Sequence, residues 1–152
     1  MTQKTYIGID PGLSGGIAVL DASGALVECY KMPSTPQDIY ESLRKFDVSS
    51  TICYIENVGN GMPNQSSKAT ATFARHIGHL EMALIANGIS TVKVSPVKWQ
   101  KRFNIGGKSG ETKTSHKNRI KAWAQQRFPN AKVALWGADA LAIASYGYED
   151  RK

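Results

Sequence analysis

Thr5-Tyr-Ile-Gly-Ile-Asp-Pro-Gly-Leu-Ser-Gly-Gly-Ile-Ala-Val-Leu-Asp21 decides how the rest of the chain is read. Two short apolar runs, Tyr6 to Ile9 and Ile17 to Leu20, flank Pro11-Gly12 and Gly15-Gly16, a pattern that predicts a hairpin of buried strands. Asp10 stands where the first strand ends. A carboxylate there loses hydration and gains no apolar contact, so it needs compensation, and a divalent cation is one source of it. Asp before Pro-Gly is also a turn former that caps nearby amides, and on this segment alone the two readings weigh equally.

Outward from the hairpin, Ala22-Ser23-Gly24 turns the chain into Ala25 to Met32, predicted to complete a three-stranded antiparallel meander. Pro33 and Pro36 break the extension, and Ile39, Leu43 and Phe46 place one apolar stripe on a first helix ending near Asp47. The next apolar run, Thr51-Ile-Cys-Tyr-Ile-Glu56, again closes on a carboxylate. If a helical crossover lays this strand beside the first, Asp10 and Glu56 emerge at the same end of the sheet. Two acids side by side repel unless a cation lies between them, and this tips the reading of Asp10 away from turn chemistry.

A loop from Asn57 to Ser67, rich in Gly, Asn, Ser and Pro, borders that position. A long helix from Lys68 to about Asn87 follows, with a stripe of Phe73, Ile77, Leu80 and Leu84 and Gly88 as its stop. His76 and His79 lie three apart on it without an acid or Cys beside them, which reads as surface or boundary placement with ligation the minor alternative. Ser90 to Val94 is a fifth strand, and Val97 to Phe103 a short helix. Thr114 to Phe128 is the next helix. Leu135 to Tyr146 is a last helix of small and apolar residues that must be buried, with Asp139 expected in its first turn, where the helix dipole favours the ionised form. Capping is the plain reading of Asp139; the other is a third acid converging on the same sheet end.

The chain of 152 residues is read as one domain, 41% hydrophobic and 20% charged, without repeats or low-complexity blocks. No apolar run approaches the roughly 20 residues of a membrane span, and Met1-Thr-Gln-Lys4 carries no signal-peptide pattern, so no membrane partner and a cytoplasmic location are expected. Cys29 and Cys53 lie in predicted strands among apolar neighbours, as reduced core residues do.

The net charge of +7 is concentrated. Between about residues 93 and 132 stand Lys98, Lys101, Arg102, Lys108, Lys113, Lys117, Arg119 and Lys121, with Lys93, Arg127 and Lys132 besides, against the single acid Glu111. Trp99, Phe103 and Trp123 are interleaved, and Asn104-Ile-Gly-Gly-Lys-Ser-Gly110 forms a loop expected to be flexible. A single lysine is usually a solvated face, but a one-signed run of this length suits a phosphate backbone. Trp123 and Phe128 read as core anchors, while Trp99 could equally pack beneath the loop.

The Ile-Asp-Pro-Gly meander, the strand ending Tyr-Ile-Glu and the closing Gly-Ala-Asp-Ala-Leu-Ala-Ile-Ala together resemble a RuvC-type Holliday junction resolvase, nearly end to end. Val94-Ser-Pro-Val-Lys-Trp-Gln-Lys-Arg-Phe103, Thr112-Lys113 and the final Ala-Ser-Tyr-Gly are similar to the branch holding the chloroplast resolvase and short bacteriophage versions. The resemblance implies an RNase H-like α/β fold: a five-stranded mixed sheet, antiparallel meander then parallel strands, flanked by helices. It also implies a homodimer, branched DNA as partner, and Mg2+-dependent nicking (Mn2+ substituting) with Asp10, Glu56 and Asp139 as the metal-binding acids. One departure is Trp136, at a position where many bacterial members carry a further acid or a His; water, substrate phosphate or His116 are the alternatives for completing the shell. Lys113 and Lys117 are the candidates for neutralising charge on the scissile phosphate, a plain contact to the DNA backbone being the alternative for each. Competing readings are an RNase H-like nuclease for RNA/DNA hybrids or other branched DNA, and a non-catalytic DNA-binding module; a sugar-kinase or actin-like ATPase shares the opening motif but needs a second domain that this length does not supply.

Overall fold

In the computed structural model, residues 3–59 and 64–152 are described. The elements run β1 (Thr5–Asp10), β2 (Gly16–Leu20), β3 (Leu26–Lys31), α1 (Pro36–Arg44), β4 (Thr51–Glu56), α2 (Ser67–Ala86), β5 (Ser90–Val94), α3 (Pro96–Arg102), α4 (Lys113–Arg127) and α5 (Leu135–Asp150). The strands form one sheet in the order β3-β2-β1-β4-β5. β1, β2 and β3 pair antiparallel, whereas β4 joins β1, and β5 joins β4, in parallel. The predicted meander and crossover are both present. β4 and β5 match the sequence reading at both ends and the other element ends lie within four residues of it, the largest difference being at α5, which continues to Asp150 because Gly147 and Tyr148 keep packing against the sheet.

Side chains alternate between the two faces of each strand. Ile7, Ile9, Ile17, Val19, Cys53 and Ile55 point to one side, where Ile39 and Leu43 of α1 and Leu80 and Leu84 of α2 cover them. Tyr6, Ala18, Leu20 and Tyr54 point to the other, beneath α3, α4 and α5. Cys29 and Cys53 are free thiols, as expected. His76 departs from its expected boundary placement: it is buried, 5% exposed, because the α2 face carrying Leu80 and Leu84 turns it inward. Among the described residues no helix is long and apolar enough to cross a membrane.

The contact between α5 and β1 is backbone to backbone. A Cβ added at Gly8 would lie 2.3 Å from the Ala144 nitrogen and 2.4 Å from the Ala140 oxygen, so only glycine in the strand and alanine in the helix permit this spacing. The small-residue run of α5 is thereby explained. It lets the helix lie almost on the strand that carries Asp10, and Asp139 immediately precedes Ala140.

Candidate active site

Alternation and register together decide where the acids go. Asp10 and Glu56 are even-numbered, like Tyr6, Gly8 and Tyr54, so both project to the α5 side of the sheet. β1 and β4 are parallel and in step through Ile9 and Ile55, so the next residues, Asp10 and Glu56, are neighbours at the carboxyl edge. Adjacent strands lie about 4.8 Å apart. Asp139 comes down from α5 onto the same region.

Their charges act on one another. The Asp10 carboxyl is pushed up to about 8, first by burial, then by Asp139 and Glu56, with Lys117 opposing. Glu56 is raised by burial and by Asp139, against a hydrogen bond from Trp99 and the charge of Lys117. Asp139 is raised by burial, against Lys117 and His116. The dipole expectation for Asp139 does not hold: α5 starts at Leu135, which leaves Asp139 beyond its first turn, and desolvation prevails.

Turn chemistry has its own examples here, and they look different. Asp21 Oδ1 accepts from the Ser23 and Ala25 amides at 2.8 and 3.0 Å, and Asp47 Oδ1 from the Ser49 amide at 3.0 Å. Both carboxyls are held below their usual range, first by the Ser23 and Ser49 hydroxyls that donate to them and then by these amides. Among the described residues no hydrogen bond ties the Asp10 carboxylate to its turn. The turn closes without it, through the Gly15 amide on the Gly12 carbonyl at 3.0 Å.

Three partly buried, mutually repelling carboxylates with hard oxygen donors suit a divalent cation. As they stand they form an electrostatic cluster and not a closed chelate: among the described residues no three His, Cys, Asp or Glu side chains are already grouped to hold one ion. Trp136 offers no ligand. It packs against Gly16 and lies under the Lys31 ammonium, 6.0 Å from the ring centroid. His116 Nε2 is 2.8 Å from the Ile105 carbonyl, which can only accept, so Nε2 carries the proton and Nδ1 is the nitrogen left over.

The basic residues divide into two groups. Lys98, Lys101, Lys108, Lys113 and Lys117 are exposed and make no ion pair among the described residues; Lys121 is half-buried on α4. Arg102 and Arg119, grouped with them on the sequence, already have partners. Arg102 pairs with Glu149 at 2.7 Å. Arg119 grips both oxygens of Glu111 at 2.7 and 2.9 Å and reaches the Gly106 carbonyl at 2.6 Å. With Glu111 also accepting from the Lys108 amide at 2.9 Å, the glycine-rich loop is strapped to α4 and not loose as expected.

Lys117 is the lysine whose charge reaches all three acids. Lys113, one turn earlier, opens α4 after the Thr112 cap. Trp99 was not expected in the site; its indole, 0% exposed, donates to Glu56 Oε2 at 2.8 Å. Nothing in the sequence distinguishes that bond from ordinary packing, since burial and partner both depend on the β4 and β5 pairing.

At the level of sequence, neither a family model nor any curated protein matches. Structure matches well. The Thermus thermophilus RuvC structure superposes with a TM-score of 0.62 at 16% identity, over 97% of this chain and 95% of that one. T. thermophilus RuvC in complex with Holliday junction substrate gives 0.65 at 15% identity, with the same coverage. The chain has the RuvC fold. This chain's mixed five-stranded sheet, in the order that places Asp10 beside Glu56, thus lies within a fold shared with RuvC although about five residues in six differ.

Proposed function

We propose that this chain is a structure-selective endodeoxyribonuclease that resolves four-way DNA junctions by paired, metal-dependent nicks. The observation that carries the reading is the meeting of Asp10, Glu56 and Asp139 from β1, β4 and α5 at one sheet edge, each with a raised pKa, in a RuvC-type frame. One similar structure is RuvC in complex with a Holliday junction, and the surface beyond the acids here carries lysines that form no ion pair among the described residues and suit phosphates.

Asp10, Glu56 and Asp139 are the residues that would hold Mg2+, with Mn2+ substituting. Bound there, divalent ions supply Lewis acidity at the scissile phosphate and a stronger nucleophile from water. The chain's own groups do the rest. The buried setting raises the proton affinity of all three carboxyls, that of Asp10 to about 8, so a cation bound there would compete with protons. Lys117 balances part of the acid charge and, with Lys113 at the start of α4, meets the incoming phosphate. Lys98, Lys101, Lys108 and Lys121 position the backbone of the arms; Arg102 and Arg119 brace the elements that carry them.

A junction has two strands to cut, and one chain brings one set of acids. A twofold homodimer supplies both sets. The proposed contact is α2, a reading by resemblance that the 58% and 70% exposure of Met82 and Ile85 supports. The chain is taken to act in the cytoplasm of a bacterium or a phage-infected host.

The test is incubation with an end-labelled mobile junction, with Mg2+ or with chelator, beside an RNA/DNA hybrid duplex. Symmetric nicks in opposing junction strands that require Mg2+ are expected. Cleavage of the hybrid alone, or junction binding without any cleavage, overturns the reading.

A further inference from the structure

Trp99 spends its only polar side-chain atom in an unusual place. An indole is a donor with one N–H, and at 0% exposure Trp99 has no water to satisfy it. The partner is a carboxylate, Glu56 Oε2 at 2.8 Å, and not a backbone carbonyl. Of the three acids Glu56 alone receives such a donor; among the described residues the Asp10 and Asp139 carboxylates accept no hydrogen bond.

The segment that carries the indole is itself fixed to Glu56. Val94 pairs with Glu56 in the sheet, and the Asn57 amide donates to the Val94 carbonyl at 2.7 Å. Ser95 then caps α3, its hydroxyl accepting from the Lys98 amide at 3.4 Å. The C-terminal end of α3 is held too, by the Ile105 amide on the Gln100 carbonyl at 2.9 Å and by His116 on the Ile105 carbonyl at 2.8 Å. Glu56 is therefore located by its backbone and by its side chain from one short stretch of chain.

We propose that Trp99 is a positioning residue for Glu56: its N–H occupies Oε2, fixes the rotamer of the carboxylate and leaves Oε1 as the oxygen offered to a divalent cation. This rests on the metal-site reading of the three acids. Outer partners of this kind set the orientation of a ligating carboxylate and typically change metal affinity by about 10–100-fold when removed. Trp99 touches neither substrate nor ion. It acts through Glu56.

The experiment follows the indole N–H resonances of the 15N-tryptophan-labelled protein, with the Trp123 and Trp136 signals assigned by Trp123→Phe and Trp136→Phe and that of Trp99 by elimination. Three signals are expected, one from each tryptophan. Glu56→Gln should move the Trp99 signal upfield while leaving Trp123 in place, and Mg2+ added to the wild type without DNA should move it as well. By calorimetry, Trp99→Phe should bind Mg2+ about 10–100-fold more weakly than wild type, while its junction affinity in chelator stays unchanged. A Trp99 signal indifferent to Glu56→Gln overturns the proposal, and that measurement does not depend on Trp99→Phe folding well. Mg2+ uptake that is the same in Trp99→Phe overturns the positioning role alone. A wild-type protein that takes up no Mg2+ overturns the metal reading, and the positioning role with it.

Discussion

The two ends of α5 treat charge in opposite ways. Near its start, Asp139 joins Asp10 and Glu56 in a group of acids whose shared positive charge is one exposed lysine, Lys117. Near its end, Glu149 takes Arg102 at 2.7 Å and Arg127 at 2.9 Å, and the Arg127 guanidinium lies 5.3 Å from the Phe103 centroid and 5.5 Å from that of Trp123. One end is short of counter-charge and the other is saturated with it. Paired charges of the second kind hold α3, α4 and α5 to one another. The three acids form no ion pair among the described residues, and what offsets their repulsion within the chain is the charge of Lys117, the Trp99 hydrogen bond to Glu56 and their raised proton affinity.

The largest effect separating the two ends is on cleavage. Asp10→Asn, Glu56→Gln or Asp139→Asn should each remove Mg2+-dependent junction nicking while a gel-shift in chelator shows junction binding retained. Loss of binding in step with loss of cleavage would erase the distinction, because the acids would then serve the fold as the Glu149 cluster does.

Next in size is the pH dependence of the metal-free protein. Asp10 is raised to about 8 in the folded state, so between its ordinary value and that value the folded chain holds a proton the unfolded chain has released. Stability is then greatest at the acid side and falls as pH rises toward 8, by an amount on the order of a few kcal/mol. Chemical denaturation across that range should show the slope in wild type, a flatter one in Asp10→Asn, and recovery at pH 8 on adding Mg2+. A slope of opposite sign would mean that the cluster is compensated within the chain.

Smaller effects distinguish the free lysines from the partnered arginines. Replacing Lys98, Lys101 or Lys108 with Ala should weaken binding to any DNA about evenly and reduce the salt slope by about 0.9 for each phosphate that is no longer neutralised. Arg119→Ala should instead free the Lys108 amide to exchange with solvent, visible by hydrogen exchange, because Glu111 loses the partner that holds it under that amide. Lys117→Met should slow cleavage at saturating Mg2+ without weakening Mg2+ binding, because the charge it removes meets the phosphate but repels the cation.

How far the sequence could be read follows from the range of each interaction. Asp10 and Glu56 were legible because each ends an apolar run, and parallel pairing of two such runs leaves their last residues side by side. Asp139 was legible as an acid in an alanine-rich helix, but the direction of its pKa shift was not: the position of the helix start and the depth of burial decide that, and neither is local. The loop at Asn104–Gly110 looked free because Gly, Asn and Ser are turn formers; the strap from Arg119 and Glu111 depends on α4 folding back over it. His76 looked like a boundary residue because the rotation of α2 against α1 and the sheet is set by its whole apolar face.

Gly8 carries a last consequence. With the Ala140 oxygen and Ala144 nitrogen 2.4 and 2.3 Å from where a methyl would sit, even alanine has nowhere to go without lifting α5, a strain of about 1–3 kcal/mol or more. The helix that would be lifted is the one bearing Asp139, so residue 8 works as a depth stop for an acid it never meets. A hydrogen atom in place of a methyl group is what sets the span of the site, and a larger residue there would widen it before a single ligand had been changed.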